Sequence, residues 1–310
     1  MLHGCISALV TPLLADGSID YPAVAGLVEW QIESGVAGLV VVGSTGEAAA
    51  LTVTERIAMI QTVVAVNQGR VKIIVGSGTT STAQTLEFIQ QLNGLSGIDY
   101  LMCVTPYFVK PTQQGLYQHF ASIAATSRFP LILYNVPSRT GCDLNDDTSL
   151  RLAADFSNIV GLKDATGDIR RCVYLVTHRP QGFSLFSGDD GSALAFLFCG
   201  GDGVISVVSN LRPRLFSSMV AAALAGRREL AITLNRHLMP LYDLLFCEAN
   251  PIPLKWGLFH EQRINSAGLR LPLTVLDSAY HEQLVASLSH ISEPVIAPAF
   301  ILKPALQSVI

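Results

Sequence analysis

Residues 159–167 read Ile-Val-Gly-Leu-Lys-Asp-Ala-Thr-Gly, a short apolar run that ends in a lysine and a polar turn. Comparable apolar runs recur along the chain and alternate with segments long enough to form helices. The eight runs lie at residues 5–10, 37–42, 71–75, 98–104, 131–134, 159–163, 183–186 and 204–208. Such alternation is typical of parallel sheets buried on both faces. Because eight units favour closure, we predict a (β/α)8 TIM barrel of the α/β class over residues 1–226.

The alternation ends near residue 227. Residues 227–247, 251–261 and 273–289 have helical character, so we predict a C-terminal helical region over residues 227–292. Residues 293–310 carry three prolines among apolar side chains, which argues against a regular helix. This segment is either a loose tail or a strap along a subunit surface.

Charged side chains make up only 14% of the 310 residues, and the net charge is −4. Globular domains average about 25% charged residues, so we expect a homo-oligomer, a dimer or tetramer, that hides part of its surface. The sequence has no apolar run of the roughly 18 residues that a membrane helix needs. It also lacks a Lys/Arg cluster of the kind that binds nucleic acid. We therefore predict neither membrane nor nucleic-acid partners.

The six cysteines form neither a Cys-x-x-Cys motif nor a metal-binding pattern; they are residues 5, 103, 142, 172, 199 and 247. The N-terminus resembles no signal peptide. These features predict reduced thiols and a cytoplasmic location. The consecutive carboxylates Asp189 and Asp190 have no spaced His or further acid to complete a metal site, so we assign them to the loop framework. We predict no metal.

A lysine nucleophile must be buried so that it loses its proton near neutral pH. The lysines are residues 72, 110, 163, 255 and 303. Active sites of barrels lie at the carboxyl ends of the strands. Lys163 follows its apolar run and is expected there, whereas Lys72 precedes its run. The alternative is a structural lysine paired with Asp164 or Asp168.

Other turns at the same end of the predicted barrel carry ligand-type side chains. Residues 43–47, Gly-Ser-Thr-Gly-Glu, combine glycines with hydroxyls that suit a carboxylate. Tyr134 ends its strand, where a phenol can act as a general acid or base. Arg139 lies on a loop framed by Pro and Gly and suits bidentate carboxylate recognition. Each residue alone also fits a turn cap, a core aromatic or a surface ion pair, but their shared location favours a site.

Four motifs together resemble the dihydrodipicolinate synthases, within the N-acetylneuraminate lyase/dihydrodipicolinate synthase family of class I aldolases. The motifs are residues 43–47, 134–141 (Tyr-Asn-Val-Pro-Ser-Arg-Thr-Gly), 161–167 and 200–206 (Gly-Gly-Asp-Gly-Val-Ile-Ser), and the resemblance extends from residue 4 to about 290. It implies condensation of pyruvate with L-aspartate 4-semialdehyde in lysine (diaminopimelate) biosynthesis, without a cofactor. The arginine of the Pro-Ser-Arg-Thr-Gly motif distinguishes the synthases from the sugar-acid lyases and aldolases.

The resemblance implies three catalytic residues. Lys163 forms an imine with pyruvate, while Tyr134 and Ser44 relay protons during imine and enamine formation.

The resemblance also implies a binding set. Thr45 holds the pyruvate carboxylate, Arg139 binds the carboxylate of the aldehyde, and Gly188 and Ile205 line the pocket.

The sequence departs from the family pattern at the turn after the fourth run. The family usually has two tyrosines there, the second of which crosses a dimer interface to complete the neighbour's proton relay. Here the pair is Tyr107-Phe108, and Phe108 has no hydroxyl. We therefore expect a proton relay that is impaired or rerouted through water, or a preference for another aldehyde. Ser44, where the synthases more often have Thr, gives some support to the lyase relatives.

The lysine feedback cleft of the family also differs here. The chain has no acidic residue among the corresponding positions, which are Ala48, Val53, Arg56, Thr80, Gln84 and Tyr107. A lysine ammonium would meet the positive Arg56, an unfavourable pairing, so we predict weak or absent inhibition by lysine. The alternatives to a synthase are a related pyruvate aldolase or lyase, and a weakly active or non-catalytic paralogue.

Overall fold

In the computed structural model, which describes residues 2–291, the strands close into a parallel eight-stranded barrel in the order β1 to β8. β1 pairs with both β2 and β8, so no strand edge is left open. The strands are β1 (Gly4–Ala8), β2 (Gly38–Val41), β3 (Lys72–Gly76), β4 (Tyr100–Val104), β5 (Leu131–Asn135), β6 (Ile159–Asp164), β7 (Ser184–Ser187) and β8 (Gly203–Ser206). The predicted TIM barrel is confirmed, and each of the eight apolar runs overlaps one strand.

Helices follow the strands, and all but the four-residue α5 cover the outside of the barrel. They are α1 (Tyr21–Glu33), α2 (Val53–Asn67), α3 (Thr82–Leu92), α4 (Gln113–Thr126), α5 (Pro137–Thr140), α6 (Asp146–Asp155), α7 (Ile169–His178), α8 (Ala193–Phe198) and α9 (Pro213–Leu224). Local sequence fixes several of their ends. At α2, for example, the Thr52 hydroxyl accepts a hydrogen bond from the Glu55 amide while the Glu55 carboxylate accepts one from the Thr52 amide at 2.8 Å. This reciprocal capping box stabilises the first turn.

The core has two layers because side chains of a strand alternate between its faces. One layer lies inside the barrel and includes Ile6, Ile74, Ile132 and Phe186. The larger layer lies between the strands and the surrounding helices. Tyr134 belongs to the inner layer. Residues that neighbour an inner-layer residue along the same strand point outward, toward the helices. This alternation determines which polar side chains reach the interior of the barrel.

The C-terminal region contains α10 (Arg228–Leu244), α11 (Ile252–His260) and α12 (His281–His290). The first two agree with the predicted helices, but the prediction for residues 273–289 is wrong over its first part. Residues 261–277 form no helix, and a 3₁₀ turn, Ser278–Tyr280, precedes α12. Pro272 lacks an amide donor, and the Arg270 guanidinium binds the carbonyl of Gly17, which ties this segment to the barrel.

α9 ends at Leu224 and α10 begins at Arg228. The domain boundary at residues 226–227 stays a prediction, and the predicted tail at residues 293–310 lies outside the described residues. Within residues 2–291, no helix is both long and apolar enough to cross a bilayer. All six cysteines are free thiols, of which four are buried and two are partly buried.

Candidate active site

A cavity opens at the carboxyl ends of the strands and has two connected parts. The inner part, about 540 Å³, is lined by Lys163, Thr45 and Gly188 among others. The outer part, about 390 Å³, extends toward Arg56 and Tyr107. Both parts are lined by the same central residues: Gly43, Ser44, Met102, Tyr134, Val136, Arg139, Ala249 and Asn250. A cavity of this size accommodates small-molecule substrates.

Lys163 lies near the end of β6 and lines the inner cavity. Its side chain is buried, 6% exposed, and makes no ion pair with any residue that the structure describes. Asp164 points the other way and accepts a hydrogen bond from Asn135 Nδ2 at 3.1 Å. The Asp168 side chain caps α7 by accepting from the amides of Arg170 and Arg171. The alternative of a lysine paired with Asp164 or Asp168 is therefore not supported. Burial lowers the pKa of the Lys163 amine to about 7, with Asp190 raising it and Arg139 lowering it further. Burial thus favours the neutral, nucleophilic form of this amine.

Gly188 gives the Lys163 side chain the space that it occupies. A methyl group at Gly188 would lie 2.8 Å from Lys163 Cε and 2.8 Å from Ala165 Cβ, which is closer than van der Waals contact allows. Any larger residue would therefore displace the amine. Gly188 lines the inner cavity.

Asp190 is a buried carboxylate behind the lysine. It accepts hydrogen bonds from the amides of Val207 and Val208, each at 2.9 Å. Burial raises the pKa of Asp190 to about 6. Asp190 thus stabilises the turn after β8, in agreement with the predicted framework role. Its negative charge also favours the protonated form of Lys163. No cluster of metal-binding side chains occurs within the described part of the chain.

Tyr134 pairs with Lys163 across β5 and β6, and Lys163 Nζ lies 4.2 Å from the centroid of its ring. Burial raises the pKa of the Tyr134 phenol, although the Arg139 charge and the Ser44 hydroxyl each lower it. The phenol therefore stays protonated at neutral pH and can donate a proton. Ser44 is exposed to the cavity beside it.

Thr45 and Arg139 reach the cavity from the turns after β2 and β5 and are both connected to Asn250. Asn250 Nδ2 donates a hydrogen bond to Thr45 Oγ1 at 2.9 Å. Arg139 Nη2 donates to the Asn250 carbonyl at 3.2 Å. Asn250, a residue of the C-terminal region, thus contacts both the Thr45 hydroxyl and the Arg139 guanidinium. Each of these two groups can donate hydrogen bonds to a carboxylate.

The turn that carries Ser44 and Thr45 is fixed by a buried ion pair. Lys255 Nζ on α11 lies 2.7 Å from Glu47 Oε1, and the two side chains are 0% and 3% exposed. Glu47 Oε2 also accepts the amide of Arg270 at 3.3 Å. Glu47 has a left-handed backbone conformation with φ of 55°. These contacts bind the turn to the C-terminal region.

The remaining predicted site residues lie at different depths. Ile205 is buried in the inner core and does not line the described cavity. Tyr107 lines the outer part together with Ala48 and Arg56. The Phe108 side chain is 88% exposed in the single chain and makes no contact with the cavity of the described residues.

The sequence did not predict the roles of Asn250 and Lys255. Lys255 falls within the predicted C-terminal helical region, and in the structure it lies on an apolar helix and pairs with a barrel turn 208 residues away. One local feature of the sequence indicates a buried ion pair: Lys255 is the single lysine of the apolar segment Ile252–His260, and a buried lysine requires a partner. Nothing local identifies that partner as Glu47.

The chain matches the Dihydrodipicolinate synthetase family over residues 1–291. It is 48% identical to the 4-hydroxy-tetrahydrodipicolinate synthase of Laribacter hongkongensis, across 93% of this chain and 98% of that protein. The same enzyme of Azoarcus sp. is 45% identical with the same coverage. A crystal structure of the dihydrodipicolinate synthase of Acinetobacter baumannii, complexed with pyruvate, superposes with a TM-score of 0.92 at 44% identity, covering 95% of this chain and all of that chain (100%).

Proposed function

Since the chain belongs to the dihydrodipicolinate synthetase family and is a carbon–carbon lyase of the class I aldolase type, we propose that its cavity condenses pyruvate with L-aspartate 4-semialdehyde through an imine on Lys163. The observation that carries this proposal is the buried amine of Lys163, whose pKa is lowered to about 7 beside the protonated Tyr134 phenol. The pyruvate complex of the A. baumannii relative, with a TM-score of 0.92, supports pyruvate as the first substrate.

The reaction begins when the neutral amine of Lys163 attacks the ketone carbon of pyruvate. The ketone oxygen takes up two protons, one released by the attacking amine and one donated by the nearby Tyr134 phenol, and leaves as water. The product is an iminium cation on Lys163. The buried Asp190 carboxylate favours this cation because opposite charges attract strongly in a low dielectric. Thr45 holds the pyruvate carboxylate during these steps.

Loss of a proton from the pyruvate methyl group converts the iminium into an enamine. Tyr134, as its phenolate, and the Ser44 hydroxyl beside it form the path that removes this proton. The enamine carbon then attacks the aldehyde of the second substrate. A new carbon–carbon bond forms, and the nitrogen returns to the iminium state. The aldehyde oxygen becomes a hydroxyl by taking the proton that Tyr134 removed from the methyl group.

Arg139 binds the carboxylate of the second substrate. Arg139 lines both parts of the cavity, so it lies where the outer part adjoins the inner part that contains Lys163. The amino nitrogen of the bound aldehyde finally attacks the iminium carbon. The Lys163 amine leaves with a proton, and the cyclic product, 4-hydroxy-tetrahydrodipicolinate, is released.

Borohydride trapping tests this proposal. With pyruvate, we expect reduction to leave a mass adduct on Lys163, and a coupled assay with both substrates to show turnover. Lys163→Arg should abolish the adduct, whereas Lys110→Arg, a change in the loop after β4, should retain it. The absence of an adduct on the unaltered chain would favour a non-catalytic paralogue.

A related aldolase that prefers another aldehyde is the second candidate. Phe108 favours it, because the family's second tyrosine is missing at this position. A screen of aldehydes at saturating pyruvate separates the two candidates. Highest kcat/KM with L-aspartate 4-semialdehyde supports the synthase, and a higher value with an uncharged sugar aldehyde supports the alternative.

The proposal also includes a homo-oligomeric assembly and insensitivity to inhibition by lysine. The exposed Phe108 side chain and the low charge content support a homo-oligomer, with Phe108 at an interface near the site. Arg56 in the outer cavity supports insensitivity to lysine. Sedimentation would determine the number of subunits.

A further inference from the structure

Asn250 is the residue through which the C-terminal region contacts the substrate-binding groups of the barrel. It lies between α10 and α11, is 5% exposed, and lines both parts of the cavity. Its side-chain amide donates to Thr45 Oγ1 at 2.9 Å. The other end of the amide, Oδ1, has no hydrogen-bond partner within residues 2–291. The hydrogen bonding of this side chain is therefore directed at Thr45.

The direction of this hydrogen bond determines what Thr45 can do. A hydroxyl has one proton to donate and two lone pairs to accept with. Since one lone pair accepts the Asn250 amide, the Thr45 proton remains for another acceptor. Thr45 is 5% exposed, and its hydroxyl donates to no acceptor in the described part of the chain. The proton is thus available to a group bound in the inner cavity, which Thr45 lines.

We propose that Asn250 is a positioning residue that fixes the Thr45 hydroxyl as a hydrogen-bond donor to the carboxylate of the bound keto acid. A carboxylate only accepts hydrogen bonds, so a donor held in the correct orientation strengthens its binding. The inference rests on the proposed pyruvate chemistry at Lys163. Asn250 touches Thr45 rather than the reacting atoms.

The surroundings of Thr45 keep this geometry fixed. The turn that carries it is bound to α11 through the buried Glu47–Lys255 pair, with Nζ and Oε1 separated by 2.7 Å. The backbone carbonyl of Asn250 accepts from Arg139 at 3.2 Å, and an alanine at this position would keep that contact. Replacing only the side chain therefore separates the effect on Thr45 from the effect on Arg139.

The test is a double-mutant cycle that measures half-saturation by pyruvate in borohydride trapping and steady-state turnover. Asn250→Ala should raise the pyruvate KM about three- to tenfold, as expected for the loss of one oriented hydrogen bond. The KM for the aldehyde should be unchanged. In a Thr45→Val background, Asn250→Ala should have almost no further effect, because its target hydroxyl is gone. Equal factors in both backgrounds would overturn the inference.

Two further variants separate positioning from general damage. Asn250→Asp has the same shape but can only accept from Thr45, so its pyruvate KM should rise more than that of Asn250→Ala; a KM equal to that of the unaltered chain would also overturn the inference. Asn158→Ala is the control, since Asn158 Nδ2 donates to the Ala124 carbonyl at 2.8 Å just before β6, away from the cavity. If the unaltered chain forms no adduct, the proposed function fails; if it does and Asn250→Ala matches it, only this inference fails.

Discussion

Lys163 and Tyr134 occupy paired positions on adjacent strands, and the Lys163 amine lies 4.2 Å from the centre of the Tyr134 ring. The pairing follows from the register of β5 and β6, in which Asn135 and Asp164 form the next pair on the outer face. The same burial lowers the pKa of the amine and raises that of the phenol. Near neutral pH the pair thus offers a neutral nucleophile and a protonated acid, the combination that imine formation requires.

The rate of pyruvate trapping should follow the protonation of Lys163. The neutral amine is the nucleophile, so the rate should rise with pH and level off above the pKa of about 7. Arg139 lowers this pKa and Asp190 raises it. Arg139→Ala should therefore shift the profile to higher pH, and Asp190→Asn to lower pH. Arg139→Lys keeps the charge and serves as the control; an Arg139→Ala profile identical to it would contradict the assignment.

Loss of the Arg139 side chain should weaken binding of the aldehyde far more than binding of pyruvate. Removal of a bidentate, charge-assisted contact should raise the KM of the aldehyde by about ten- to a hundredfold in Arg139→Ala. The half-saturation by pyruvate, measured by trapping at a pH where Lys163 is neutral in both proteins, should change far less. Equal losses for both substrates would indicate that Arg139 supports the cavity rather than binds the aldehyde.

A hydroxyl at position 108 should restore a proton path. Steady-state turnover of Phe108→Tyr should exceed that of the unaltered chain, because a phenol can relay protons where phenylalanine cannot. Phe259→Tyr, at an exposed phenylalanine on α11, is the control and should leave turnover unchanged. If Phe108→Tyr brings no gain, the proton relay here does not depend on this position.

Lysine should not inhibit this chain strongly. The outer cavity presents Arg56 and no carboxylate partner for an ammonium among the described lining residues other than Glu47, which is paired with Lys255. Turnover should persist at millimolar lysine, and Arg56→Glu, which adds an acceptor, should increase sensitivity. Full inhibition of the unaltered chain at sub-millimolar lysine would refute the prediction.

The Glu47–Lys255 pair should contribute strongly to stability. Lys255→Met leaves a buried carboxylate without its partner, so the free energy of unfolding should fall by ~3 kcal/mol or more. The Lys72–Asp99 pair provides the control, since Lys72 is 55% exposed. Lys72→Met should cost less than about 1 kcal/mol. Denaturant unfolding measures the loss in the free energy of unfolding for both variants. Similar losses would contradict a special contribution of the buried pair to stability.

Much of the barrel and part of the site follow from local sequence. The apolar runs define the strands, and a residue that follows its run must lie at the carboxyl end, which selects Lys163 over Lys72. Residues 273–289 have helical character in the sequence, yet the helix begins only at His281. The Arg270 guanidinium, just before this segment, binds the Gly17 carbonyl instead. Here tertiary contacts outweigh local propensity.

The sequence by itself determined the eight strands, the end of the barrel that carries the site, and Lys163 as the nucleophile candidate. These depend on the period of two along a strand and on the order of residues within one βα unit. Only the tertiary structure decided that Asn250 binds Thr45 across 205 residues of sequence and that Lys255 neutralises Glu47. Such pairs form because closing the barrel brings α11 over the turn after β2, and no local pattern specifies which distant polar groups will meet there.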